Sequence, residues 1–154
     1  NWRYITYFDQ LYEIAKNKKR FSDKYYKAFI ILAQAHYKKR NFSRSLRVAR
    51  LLPDNFQTYK VKLIKAKALF RLGRFDKSID VFEQLSIDDE DDKYMLSKAY
   101  ALSKRTQKAK DTFLQIMSNE KILKRAKRDR TMSRIVRLIE RDKKKQEEKN
   151  NQGN

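Results

Sequence analysis

The side chains suited to chemistry in this chain are few and poorly arranged for it. There is one histidine, His36, and no cysteine. Zinc sites are built from three or four Cys, His and carboxylate ligands, so this inventory leaves no plausible zinc site and no thiolate nucleophile. Asp88-Asp89-Glu90-Asp91-Asp92 form the densest carboxylate run. They lack the alternating spacing, central Gly and closing Glu that a calcium loop needs. Acids just before a helix beginning near Lys93 instead favour its positive N-terminal end. The two glycines, Gly73 and Gly153, are isolated, so no Gly-rich loop is present to cradle phosphate. No nucleophile has a general base at a recognisable spacing. The sequence therefore assigns no catalytic residue, no metal ligand and no cofactor, and a non-enzymatic protein is expected.

With reactive groups set aside, shape must perform the task, and the elements point to helices. The 154 residues suffice for one domain with its own core, and 40% of them are hydrophobic. Sheet folds need many turn signals, whereas this chain has two Gly and one Pro. Its Lys, Arg, Leu, Ala and Gln lose little rotamer freedom in a helix. No run of about 18 apolar residues is present to span a bilayer. The chain opens with Asn1, so it is expected to be processed or a fragment of a longer protein. The absence of cysteine suits a cytoplasmic protein, or a cell-envelope one whose upstream signal or anchor was removed.

The formal charge is +20, unevenly spread. Between Lys16 and Arg50 lie twelve Lys/Arg and one acid, Asp23; a second basic block runs from Lys121 to Lys145, beyond the acidic run. Such an excess attracts polyanions: acidic protein segments, nucleic acid or anionic lipid.

Three segments align with one another. Leu32-Ala33, His36-Tyr37, Phe42, Ser45-Leu46, Ala49 and Leu52-Pro53 match Ala66, Leu69-Phe70, Gly73, Phe75, Ser78-Ile79, Phe82 and Leu85. Leu96-Ser97, Tyr100, Ala109, Phe113 and Ile116 form the third set. Ser45, Ser78 and Ala109 lie 33 and 31 positions apart. Apolar spacings of three, four and seven on both sides of each turn predict two short helices per unit. The turns are placed at Lys39-Arg40-Asn41, Leu72-Gly73-Arg74 and Lys104-Arg105-Thr106, with Gly73 suited to end a helix in the left-handed conformation. Ala33, Ser45, Ala66, Ser78 and Ala109 let paired helices approach closely. Phe75, Phe82 and Phe113 fill the space beyond them, and His36 falls at a packing position.

Residues 69–82, Leu-Phe-Arg-Leu-Gly-Arg-Phe-Asp-Lys-Ser-Ile-Asp-Val-Phe, resemble the central part of a tetratricopeptide repeat. The family's small residue, turn Gly, aromatic, second small residue and closing aromatic are matched by Ala66, Gly73, Phe75, Ser78 and Phe82, and its terminal proline by Pro53. Lys62 replaces an expected aromatic, the third turn lacks Gly, and the 31-residue spacing is shorter than the family's. The resemblance covers residues 25–119. It implies an all-α, right-handed solenoid with repeats at 25–54, 58–88 and 91–119. End units need covers, so a helix over 2–17 and a capping helix over 120–142 are expected, followed by a polar, disordered tail over 143–154.

In that arrangement the first helix of each unit lines a concave groove. The implied lining is Lys27, Ile30, Gln34, Tyr37 and Lys38, then Lys60, Leu63, Lys67, Phe70 and Arg71, then Tyr94, Lys98 and Ala101. Such a mixture of rings and cations suits a partner-protein segment carrying acidic and apolar residues. A subset of the family clamps a terminal carboxylate with Lys and Asn, but Ile30, Gln34 and Ile64 stand at matching places, so that clamp is missing. Two other partners fit the charge. Related helical repeats read RNA, and the basic last helix, with Lys124, Arg125, Arg128, Arg134 and Arg141 around an apolar stripe, resembles helices that lie on anionic membranes. Self-association through an uncovered end is a further expectation.

Overall fold

The computed structural model describes Thr6, Gln10 and residues 23–152. But for those two positions, the helix expected over 2–17 lies outside the described residues. Among them there is no strand. Eight α-helices follow in order: α1 (Asp23–Lys38), α2 (Phe42–Arg50), α3 (Tyr59–Arg71), α4 (Phe75–Phe82), α5 (Glu90–Leu102), α6 (Thr106–Leu114), α7 (Glu120–Arg128) and α8 (Met132–Gln152), with a 3-10 turn at Asp54–Phe56. They belong to two compact units, residues 1–85 and 86–154.

In the first unit α1 packs on α2, α2 on α3, α3 on α4, and α1 also meets α3. Its core joins Phe29, Leu32 and Ala33 of α1 to Val48 and Ala49 of α2, Leu52, and Val61 and Ile64 of α3. A smaller patch, Leu46, Ala68 and Leu69, continues it, and Tyr37 packs against both. After α2 the chain is fastened by Gln57, whose side-chain amide donates to the carbonyls of Ala49 (3.3 Å) and Leu52 (2.6 Å). Lys65 Nζ of α3 in turn donates to Gln57 Oε1 at 3.1 Å. Orphan carbonyls at a helix end thus gain a partner from outside the helix. Burial, then the charges of Arg50 and Lys62, depress the Lys65 pKa.

In the second unit α5 packs on α6, α7 on α8, and α8 also covers α6 and α5. Tyr94, Tyr100, Phe113, Ile122, Met132, Ile135, Val136 and Ile139 are buried there. α5 begins at Glu90, three residues before the expected start, because Asp89 caps it by accepting the Asp92 N–H at 3.0 Å. Glu90, Asp91 and Asp92 occupy its first turn, where the helix dipole favours negative charge.

The helix pairs α1–α2, α3–α4 and α5–α6 close with one repeated device. Arg40, Gly73 and Lys104 have φ of 60°, 73° and 61°. Asn41, Arg74 and Arg105 then donate N–H to the carbonyls of His36, Leu69 and Tyr100. This is the six-to-one bond of a helix ended by a left-handed residue. The third turn is therefore Ser103-Lys104-Arg105, one residue earlier than expected; Lys104 takes the glycine's place and carries no turn signal of its own.

A second device joins the paired helices. Ser45 Oγ donates to the Ala33 carbonyl and Ser78 Oγ to the Ala66 carbonyl, both at 2.8 Å and twelve residues apart. In the third pair the residue types exchange: Ser97 Oγ, on the first helix, donates to the Ala109 carbonyl on the second at 2.8 Å, again twelve residues apart. All six residues are buried. A small residue on each helix permits close approach, and a hydroxyl on either one supplies the bond.

The C-terminal third departs from expectation twice. The single capping helix over 120–142 is two helices, because Asp129 turns its carboxylate back to accept the N–H groups of Thr131 (2.9 Å) and Met132 (3.1 Å). Local side-chain bonds of this kind compete with helix continuation. The tail expected to be disordered from 143 instead continues α8 to Gln152. Residues 143–150 are exposed, so their helicity rests mainly on the propensity of Lys, Gln and Glu and on the favourable Glu140 to Lys144 spacing rather than on burial.

Candidate binding surfaces

In the first unit the expected groove positions lie on α1 and α3, which pack together. Lys27, Lys38, Lys60 and Arg71 are exposed, whereas Ile30, Gln34, Tyr37, Leu63, Lys67 and Phe70 are half-buried. No carboxylate follows Asp23 in α1, and α3 contains none. Both rings are partly used within their own hairpins. Tyr37 lies 5.3 Å from Phe42 and Phe70 lies 5.5 Å from Phe75, centroid to centroid. Each spans a turn onto the residue that opens the next helix, and the third pair, with Ala101 and Thr106 in those places, lacks the contact. The face therefore offers partly exposed apolar side chains within a surround of cations.

The expected packing residues are placed as follows. Ala33, Ser45, Ala66, Ser78, Phe82, Ala109 and Phe113 are buried; Phe75 is half-buried, and Gly73 is exposed at its turn. His36 is fully buried among the core side chains of α1.

In the second unit the groove reading needs a correction. Tyr94 is 1% exposed and cannot meet a partner. Its ring lies edge-on to Phe113 at 6.4 Å and is covered by the Arg125 guanidinium at 4.2 Å from the centroid. Helical register within α5 is blind to α7, whose Arg125 closes over the ring. Lys98 and Ala101 are half-buried, and Lys98 is engaged as an ion pair with Asp129.

Arg125 also pairs with Asp91 at 2.5 Å, so Asp91, Arg125 and Tyr94 tie α5 to α7, while the Lys98–Asp129 pair ties α5 to the segment before α8. Burial, then the Asp129 charge, push the Tyr94 hydroxyl up to about 12, against the opposing Arg125 charge. For Asp129, burial disfavours ionisation, but the Lys98 hydrogen bond and the Met132 and Thr131 N–H groups outweigh it and lower the pKa. Nothing in the spacing of Lys98 and Asp129, 31 residues apart, announces this pairing. Asn119 is another unforeseen contributor: it caps α7 by accepting N–H from Lys121 and Ile122 and donates to Glu90.

The other strongly charged surface is the exposed side of α7 and α8. Of the apolar stripe of the expected capping helix, which a membrane could also have covered, Ile122, Ala126, Met132, Ile135, Val136 and Ile139 are buried at 6% exposure or less and Leu123 is half-buried. No helix of the described residues is long and apolar enough to cross a bilayer. No protein-family model, no curated protein and no solved structure matches the chain.

Proposed function

We propose that this protein is a non-enzymatic binding module of the tetratricopeptide kind, a right-handed solenoid with capping helices, that takes an acidic-apolar segment of a partner protein. The observation that supports it best is the face of α1 and α3: half-exposed Ile30, Leu63 and Phe70 set among Lys27, Lys38, Lys60 and Arg71, without an acid between Lys24 and Arg50. Apolar side chains at such a face supply affinity on desolvation, while the cations steer encounter and reject basic partners. The paired small residues and left-handed turns fix the helices so that these side chains are displayed on a rigid support, which limits the entropy lost on binding.

The test is selection of acidic-apolar peptides on the full-length chain, followed by affinity measurement with Lys67→Ala/Arg71→Ala. The double variant is expected to weaken the selected peptides about tenfold or more, the size of two interface contacts worth about 1 kcal/mol each. An unchanged affinity, with the fold intact by circular dichroism, contradicts the assignment of this face.

A further inference from the structure

The α7–α8 hairpin presents cations that no described carboxylate neutralises, although one of them, Arg137, donates its Nε–H to the Ser133 carbonyl at 3.3 Å. On α7, Lys124 and Arg128 are one turn apart; on α8, Arg134, Arg137 and Arg141 follow at spacings of three and four, which place them on one helical face. All five are exposed. None forms an ion pair with a described carboxylate, whereas neighbouring cations do: Arg125 with Asp91, Lys127 with Glu140, Lys110 with Asp142 and Lys98 with Asp129. Glu140 and Asp142, the acids that interrupt the arginine row, are thus paired with Lys127 and Lys110, and like charges are left side by side at a cost in self-repulsion.

Two features decide what would neutralise this face. Ile122, Ala126, Met132, Ile135, Val136 and Ile139 are already buried in the unit's core and Leu123 and Leu138 are half-buried, so no continuous apolar stripe remains to enter a bilayer, and charge dominates the outward face. The second unit has three aromatic residues, Tyr94, Tyr100 and Phe113, and all are buried. Proteins that hold single strands stack bases on exposed rings, and here there are none. Four of the five cations are arginine, whose planar fork matches phosphate oxygens in pairs.

We propose that the exposed face of α7 and α8 binds the phosphate backbone of a nucleic-acid duplex without reading its sequence. This site is separate from the α1–α3 face and stands or falls independently of it.

The experiment measures anisotropy of the full chain with labelled random-sequence RNA and DNA duplexes of about 20 base pairs, across a salt series, beside vesicles of phosphatidylcholine and phosphatidylserine. The variant is Arg134→Gln/Arg137→Gln/Arg141→Gln, whose surface substitutions to another good helix former leave the fold intact. Removing three phosphate contacts is expected to weaken duplex binding about tenfold or more and to flatten the slope of log affinity against log salt by about 2 to 3. A charge-matched control, Arg47→Gln/Arg50→Gln/Lys77→Gln, is expected to change affinity less than about threefold. Equal losses in both variants would mean that bulk charge alone attracts the duplex and would overturn the site. A triple variant that loses vesicle binding while keeping duplex binding would overturn it in favour of a lipid surface.

Discussion

At the scale of single residues, two features make quantitative claims: the left-handed turn positions and Tyr94. Arg40 and Lys104 hold the left-handed conformation that Gly73 holds at the equivalent turn. A side chain there costs about 1 kcal/mol relative to glycine. Nothing lies within 4 Å of a Cβ added at Gly73, so the cost of Gly73→Ala is purely conformational. Denaturant unfolding is expected to show Gly73→Ala destabilising by about 1 kcal/mol and Lys104→Gly stabilising by a similar amount. Equal and negligible effects would contradict the turn geometry. Tyr94 makes the second claim. Its hydroxyl titrates near 12 when folded against an ordinary value of 10.0. Because the folded value is raised, the neutral form is favoured by folding. That contribution is whole below pH 10 and is lost as pH climbs from 10 towards 12. Absorbance titration of tyrosinate should show a late group that is missing in Tyr94→Phe, and stability of the variant should fall less over that window. A variant titrating like the parent would contradict the buried placement.

At the scale of elements, the helices were legible where a period or a pair of small residues marked them, and illegible where a side chain acted alone. The alignment of Ser45, Ser78 and Ala109 located all three helix pairs, even though the third exchanges its serine and alanine. Small size is what the approach of two helices requires, and it survives the exchange. The break at Asp129 was hidden because Arg-Asp-Arg-Thr reads as ordinary helix surface; only the return of the carboxylate to two N–H groups reveals it. Tyr94 is expected on the lining face of α5, yet its depth depends on Arg125 of α7, which the sequence of α5 does not contain. The end of α8 is hidden for the opposite reason: polarity without an apolar stripe suggests disorder, but these residues extend a helix already nucleated by its packed first turns, so only propagation is needed. Truncation after Asp142 is therefore expected to reduce the helical signal at 222 nm while changing the unfolding free energy by less than about 0.5 kcal/mol. A loss above about 1 kcal/mol would mean that the removed turns pack against something.

At the scale of the whole molecule, charge and shape divide the work. The net +20 brings polyanions near any part of the surface, so attraction by itself identifies no site. On the proposed function, selectivity comes from where apolar groups and cations are held together, and in the first unit that place is the α1–α3 face. In the second unit the equivalent positions are closed by Tyr94 and by the Lys98–Asp129 pair, leaving the outer face of α7 and α8 for charge alone. The two surfaces therefore differ in kind: mutation of one should leave the ligand of the other unaffected, and high salt should weaken the second far more than the first. The most direct measurement of the central claim is amide chemical-shift mapping of the full chain with a selected acidic-apolar peptide at physiological salt. The account predicts shifts concentrated on α1 and α3, around Lys27, Gln34, Lys60, Lys67 and Arg71. Shifts confined to α7 and α8, or spread evenly over the basic surface, would contradict it.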